Sequence, residues 1–458
     1  MKHKILSFIS LILLISSIIL ITYLFYKFQL NFTKNFNTYL VYFIISIFYL
    51  SFSIYFYFQN EEFKIISSII FFSILVAFYS FEIFLTSKEF NMSKTFKYYE
   101  NKTGKKYDKR SKFQIYNDLK SDKNIRPGTY PYQFFDQNSG IFPLSSFANK
   151  KIIYCNENGY WVIYNSDRYG FNNSDEVWDF DSYEYLLIGD SFTNGACVQP
   201  TNNIAGNLKK ITNSKNILNL GMGAAGPIIE YAILREYAPF KKNIKRLIWI
   251  YYEGNDLHNI YYEKQNSILK KYLDNKYFTQ NLKFKKNDIK NKLEKTFKFE
   301  EKKAIKEIKT RKKKKIFNIL KLSKTKKLIL SRINKKIIVK DAKVVDEKIL
   351  LLNFKKILKE VKSLSNKNDL KLYFVYLPTG ERYINLNNNH QFKNYLEITN
   401  MVQDLDIALI DINKNFMNIT DNPLKFYALE NPGNHFSENG YKKVSEVIFN
   451  KINRLEKK

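Results

Sequence analysis

Five short, largely apolar runs constrain this chain more than any other feature: Tyr185–Ile188, Asn216–Leu220, Arg246–Tyr252, Lys371–Leu377 and Asp406–Ile410. Such runs are what parallel strands covered on both faces look like. Glycine-bearing loops and helical patterns separate them, notably Pro227–Tyr237, with proline in its first turn, and Phe392–Gln403. The alternation predicts an α/β fold, a doubly wound parallel five-stranded sheet with right-handed crossovers. The first run leads straight into Gly189-Asp190-Ser191-Phe192-Thr193-Asn194-Gly195, which puts a serine hydroxyl where a strand gives way to a helix. Ligands and catalytic groups of open α/β sheets gather at that carboxyl edge. By itself the turn needs no more than Ser191 capping the helix. Its spacing is not Gly-x-Ser-x-Gly, since Asp190 separates glycine from serine.

Three apolar runs precede this unit. Ile5 to Tyr26 carries no charge, and at helical rise it reaches roughly 33 Å, enough to cross a bilayer. Tyr39 to Phe58 and Ile65 to Leu85 are comparable, broken only by Glu82 near the end of the third. A cleaved signal peptide has a shorter apolar region followed by polar sequence. Residues 1–88 are therefore expected to form an anchor of three transmembrane helices in the inner (cytoplasmic) membrane. Lys2 and Lys4 favour a cytoplasmic amino terminus, and three crossings then export everything after Leu85. Lys27, Lys34, Lys88, Lys94 and Lys97 blur that bias.

Residues 89–180 are polar and loop-rich, with Pro127, Pro131 and Pro143 breaking any long helix. Within them, Lys151–Tyr154 and Tyr160–Tyr164 read as short strands around the turn Asn156-Glu157-Asn158-Gly159, and Asp167–Asn173 as an ordered loop. This accessory segment is expected to lie against the unit at 181–458. A further stretch, about residues 262–345, interrupts the strand–helix alternation and contains Arg311 followed by Lys312 to Lys315. It reads as a solvated helical insertion, or as a basic arm held against anionic lipid or an acidic polymer.

The net charge of +31 raises the question of nucleic acid. Lys, Asn, Ile, Phe and Tyr are enriched together, as an AT-rich coding bias produces, and no nucleic-acid-binding signature accompanies them. Nucleic acid is not an expected partner; a membrane surface suits the lysines better. The two cysteines, Cys155 and Cys197, are too few for a metal cage. In an exported domain they are expected to form one disulfide, worth roughly 4 kcal/mol in the chain-entropy account. In the cytoplasm they would be inert thiols. Because Cys197 lies just past Ser191, the bridge would pin a loop under that serine.

A serine hydroxyl is a poor nucleophile without an adjacent base. The chain has four histidines. His3 belongs to the amino-terminal tail, His390 follows Asn387-Asn388-Asn389, and His258 lies just beyond the third strand. His435 sits in Asn431-Pro432-Gly433-Asn434-His435-Phe436-Ser437, immediately before the final amphipathic helix.

These blocks resemble those of the SGNH (GDSL-like) hydrolase superfamily, in particular its membrane-anchored bacterial members. The Ser191 heptad resembles the family's opening Gly-Asp-Ser-x-Thr-x-Gly, Asn219 to Gly226 its second block, and Gly254-Asn255-Asp256 its third. The resemblance covers roughly residues 181–458 without the insertion. It implies Ser191 as nucleophile, His435 as base, and an oxyanion hole made by the Ser191 N–H, the N–H at Ala224 and the Asn255 side chain. It implies no metal and no dissociable cofactor. Its membrane-anchored members act on O-acyl groups of cell-envelope or extracellular polysaccharide, often beside a membrane-bound acyl donor protein. An esterase or O-acyltransferase cleaving or moving acyl (acetyl) groups on acylated saccharide is the expectation. Lipid or small-ester hydrolysis and an inactive carbohydrate-binding or assembly module are the alternatives, with a polyanion-binding scaffold behind them.

Two departures stand out. Ala224 occupies a position where glycine is usual, and Pro432 stands where the family often keeps an aspartate three residues before the histidine. Glu430, Asp421 or a backbone carbonyl is left to orient His435. Asp190 is expected to serve the turn and not the chemistry.

Overall fold

The computed structural model describes residues 2–30, 36–89, 93–137, 140–334, 346–384, 392 and 394–457. They form two units: residues 1–91 with 311–341, and residues 92–310 with 342–458.

The first unit contains the helices Lys2–Leu30, Phe36–Phe58 and Glu61–Glu89. Leu6–Gln29 and Glu61–Ser87 are long and apolar enough to cross a membrane, whereas the apolar stretch of the middle helix, Tyr42–Phe58, is shorter. The expectation of three spans therefore stands at two such helices and a shorter one. Large apolar side chains such as Phe8, Phe48 and Phe72 face outward, which is consistent with membrane anchoring. The first two helices meet through Phe25 against Phe43, centroids 4.9 Å apart, and a 2.8 Å hydrogen bond between Ser16 Oγ and Tyr49 OH. Glu82 is buried and accepts hydrogen bonds from the Lys324 N–H, the Thr325 N–H and the Thr325 hydroxyl at 2.9, 2.7 and 2.8 Å. It thereby satisfies free donors at the start of the helix Ser323–Asn334. Part of the supposedly solvated insertion is thus fastened to the third helix.

In the second unit a small sheet comes first. Strand β1 (Ile125–Pro127) pairs in parallel with β2 (Lys151–Ile153), which pairs antiparallel with β3 (Ile163–Asn165). The main sheet comprises β4 (Ser182–Gly189), β5 (Ile217–Asn219), β6 (Asn243–Tyr252), β7 (Lys371–Leu377) and β8 (Ala408–Asp411). All neighbours are parallel, in the order β5-β4-β6-β7-β8. The chain order therefore reverses beside β4, the kind of position where open α/β sheets bind ligands.

Alternating side chains divide between two cores, as a pleated strand requires. Leu186, Ile188, Leu247, Trp249 and Phe374 face one core with Tyr231 and Phe354 from the helices Pro227–Tyr237 and Glu347–Lys367. Tyr185, Leu187, Ile248, Ile250 and Val375 face the other with Leu208, Tyr441 and Ile448 from Ile204–Thr212 and Glu438–Glu456. Each of the five sequence-derived runs overlaps a strand of this sheet.

The insertion begins inside the first core: Leu269, Tyr272, Leu282, Leu293 and Phe297 are buried there. Buried Glu236 organises its turn, accepting from the Tyr272 hydroxyl at 2.5 Å and from the N–H groups of Gln280 and Leu282 at 2.5 and 2.9 Å. Residues 267–297 are a layer of the second unit, not a solvated appendage. The lysines between these apolar positions are what obscure this in the sequence.

Candidate active site

Strand β4 ends at Gly189, whose φ is +150°. A Cβ there would lie 2.1 Å from Thr193 Oγ1 and 2.5 Å from the Ile250 carbonyl oxygen, so only glycine fits. The cap of the Ser191–Asn194 helix is Asp190, which accepts the Phe192 N–H at 2.8 Å. Ser191 is thereby left free of the capping role, and its hydroxyl lies 2.8 Å from His435 Nε2 and 3.2 Å from Asp190 Oδ2. The serine and histidine singled out from the sequence meet, although 244 positions separate them.

Behind the imidazole stands a carboxylate that sequence reasoning placed only in a turn. Glu157 Oε1 and Oε2 lie 2.9 and 3.1 Å from His435 Nδ1, and Oε2 also accepts the His435 backbone N–H at 2.6 Å. None of the three groups expected to orient the ring does so. Glu430 instead accepts from the Tyr98 hydroxyl at 2.5 Å and the Lys102 ammonium at 3.0 Å.

Glu157 sits in the loop between β2 and β3, and the loop is tied at several points. Cys155 and Cys197 form a disulfide with their Cα atoms 5.1 Å apart. The Asn158 amide donates to the Cys197 carbonyl at 2.9 Å, and the Asn156 amide to the Asp108 carbonyl at 2.8 Å. The signal for Glu157 was therefore in the sequence: it lies two residues past one cysteine of a bridge whose partner follows Ser191 closely.

The loop Asp167–Asn173 buttresses the same strand ends. Buried Asp167 accepts from the Asn173 amide and the Trp178 indole, both at 2.9 Å. Asn173 then exchanges two hydrogen bonds with the backbone of Asn219, and Asn172 donates to the Asn194 carbonyl at 2.9 Å. Asn219 is structural as well, its amide donating to the Thr193 carbonyl at 2.8 Å.

Burial works against a charged His435 ring, yet the Glu157 carboxylate, by charge and hydrogen bond, and Asp190 outweigh it and hold the pKa above the ordinary histidine value. Burial pushes Asp190 up to about 6. Glu263, also buried, is pushed up to about 7 while accepting the Gly226 and Ile228 N–H groups at 2.6 and 2.9 Å. It serves the start of the helix Pro227–Tyr237.

Ser191, Glu157 and His435 line a cleft of about 440 Å³, and Ala224 and Asn255 line it too. The φ of Ala224 is +60°, the left-handed region that usually selects glycine. Asn255 precedes the helix Asp256–Gln265, and its buried side-chain oxygen Oδ1 has no hydrogen-bond partner among the described residues. His258 is exposed and outside the lining; His390 lies outside the described residues, as does the side chain of His3. Glu157, Cys197 and His435 approach within 4.8 Å of one another, but the sulfur is committed to the disulfide. That grouping is a carboxylate–imidazole pair, not a metal cage.

No family model matches the chain, and no curated protein matches it. Solved structures that align with it include a protein assigned to the lipolytic G-D-S-L family from Desulfitobacterium hafniense DCB-2, 15% identical, covering 59% of this chain and 99% of that one with a TM-score of 0.31. The acetyl xylan esterase AlAXEase is 12% identical over 58% of this chain and 98% of its own, with a TM-score of 0.32. A lipase/acylhydrolase from Enterococcus faecalis is 10% identical over 59% and 95%, with a TM-score of 0.31. Independently of these likenesses, the second unit sets a serine at the end of β4 and a histidine ahead of the last helix at the carboxyl edge of a parallel five-stranded α/β sheet.

Proposed function

We propose that this protein is a membrane-anchored serine esterase or O-acyltransferase that cleaves or moves short acyl groups on cell-envelope or extracellular polysaccharide. The observation that carries the reading is the continuous line of hydrogen bonds from Ser191 Oγ through His435 to Glu157. In it Ser191 Oγ attacks the acyl carbonyl while His435 Nε2 takes the hydroxyl proton, and Glu157 holds the ring and stabilises the imidazolium. The tetrahedral oxyanion is met by the Ser191 N–H, the N–H at Ala224 and the Asn255 amide. Collapse breaks the ester bond, and His435 returns the proton to the leaving alcohol. Water then hydrolyses the acyl-serine, or a sugar hydroxyl accepts the acyl group; in either case His435 takes the incoming proton and returns it to Ser191.

The disulfide supports an exported, extracytoplasmic second unit, and the apolar helices support a place in the inner membrane beside a membrane-bound acyl donor protein. The test uses the full-length protein in detergent. Turnover of p-nitrophenyl acetate and fluorophosphonate labelling are expected, both lost in Ser191→Ala. A folded wild type inert to both would sink the reading in favour of a binding module. A cytoplasmic signal from a reporter fused after Leu85 would overturn the export half.

A further inference from the structure

The part of the cleft lining that comes from the accessory segment is largely aromatic. Tyr130, Tyr132 and Tyr154 line the cleft there, with Phe192 contributed by the helix Ser191–Asn194 and Tyr252 by the end of β6. Among the described lining residues no leucine, isoleucine, valine or methionine occurs, and no lysine or arginine. A long acyl chain would find no aliphatic channel, and an anionic head group would find no lysine or arginine in the lining.

Within that lining Tyr132 stands apart. It is 54% exposed, and its ring lies nearly parallel to that of Tyr130, centroids 5.6 Å apart and planes 14° apart. Tyr130 is fixed from behind. The Lys112 side-chain nitrogen donates to its hydroxyl at 2.8 Å and lies 4.4 Å from the ring centre, and the Tyr130 hydroxyl donates to the Tyr154 carbonyl at 3.3 Å. The Gln133 side chain accepts the Tyr130 N–H at 2.9 Å. An aromatic plate backed by a second ring and held by a lysine is preorganised, so little ordering is left to oppose binding.

The geometry points to Tyr132 as a stacking platform for a neutral pyranose ring that carries the acyl group. A pyranose offers a face of C–H groups to the negative face of an aromatic ring, while its hydroxyls stay at the polar rim. Of the esters the site chemistry admits, an O-acetylated saccharide matches this lining better than a lipid does. The assignment rests on the esterase reading above and deepens it.

The experiment compares full-length wild type, Tyr132→Ala and Tyr132→Trp in detergent, each checked by thermal unfolding and by fluorophosphonate labelling at Ser191. Substrates are O-acetylated xylo- and gluco-oligosaccharides, p-nitrophenyl acetate and p-nitrophenyl palmitate. The ratio of kcat/KM for saccharide to that for p-nitrophenyl acetate is expected to fall about tenfold in Tyr132→Ala, mainly through KM, and to recover in Tyr132→Trp. An unchanged ratio overturns the platform, as does preference for the palmitate ester. A wild type that labels and turns over p-nitrophenyl acetate but no acetylated saccharide also overturns it, with the esterase reading intact. A wild type inert to every ester removes both.

Discussion

Glu157 Oε1 lies 2.9 Å from His435 Nδ1 across 278 positions of sequence. The acid behind the base thus comes from the accessory segment, not from the loop that carries the histidine. Its carboxylate fixes which ring nitrogen carries the proton and leaves Nε2 to face Ser191. Glu157→Gln is expected to lower kcat by about 10⁴-fold, the loss that follows when a triad acid is neutralised in place. Glu157 favours the charged imidazolium, so its removal lowers the His435 pKa. The base works neutral, so activity rises with pH through that pKa. The acidic limb of the pH–kcat profile should start above the ordinary histidine value of about 6.5 and move to lower pH in Glu157→Gln. A limb that stays in place would show that another group orients the ring.

The Cys155–Cys197 disulfide flanks Glu157 on one side and the Ser191 helix on the other. Breaking it should therefore reduce activity as well as stability. The Cys155→Ser/Cys197→Ser variant is expected to lose about 4 kcal/mol of stability by loop entropy, read by denaturant unfolding. Its kcat should fall further than that of a variant destabilised equally at a distant core position. Equal losses of kcat in the two would mean that the bridge stabilises without positioning Glu157.

Ala224 carries φ of +60° in the turn between β5 and the helix Pro227–Tyr237. Holding an L-residue in the left-handed region costs about 1–2 kcal/mol, which glycine avoids at the expense of more freedom in the unfolded chain. Ala224→Gly is expected to raise stability by up to about 1 kcal/mol and to keep kcat, because the backbone N–H stays where it is. Ala224→Val, with a branched side chain in the same conformation, should lower both. If glycine lowers the melting temperature, the turn is not strained in solution.

The strands were legible because burial on both faces leaves a simple mark. Lys371–Leu377 was read as it folds, and Asp406–Ile410 is shifted to Ala408–Asp411, Asp406 with its φ of +51° lying in the preceding turn. Ser191 and His435 were legible because each abuts a helix start. Glu157 left a fainter mark, its place two residues past Cys155, because a loop carboxylate has no periodicity and is positioned by a tertiary cross-link. The strain at Ala224 was hidden, being a property of the turn's path. Leu269, Tyr272 and Leu293 were masked by the lysines around them, so a core layer passed for a solvated arm.

Glu82 marks where the end of that arm is held. It is the acidic residue of an otherwise apolar run, and charge in such a segment is costly without partners. Its partners are the first free N–H groups of the helix Ser323–Asn334 together with the Thr325 hydroxyl. The carboxylate also opposes the positive end of that helix's dipole. Replacing a cap typically costs about 0.5–2 kcal/mol, which corresponds to a roughly two- to thirtyfold rise in local opening. In full-length protein in nanodiscs, Glu82→Ala should speed hydrogen exchange of the first turns of Ser323–Asn334 by that factor. Glu82→Gln, which keeps one acceptor, should fall between. Exchange unchanged by both substitutions would mean that this helix is held by its apolar side chains alone and that Glu82 contributes nothing to its docking.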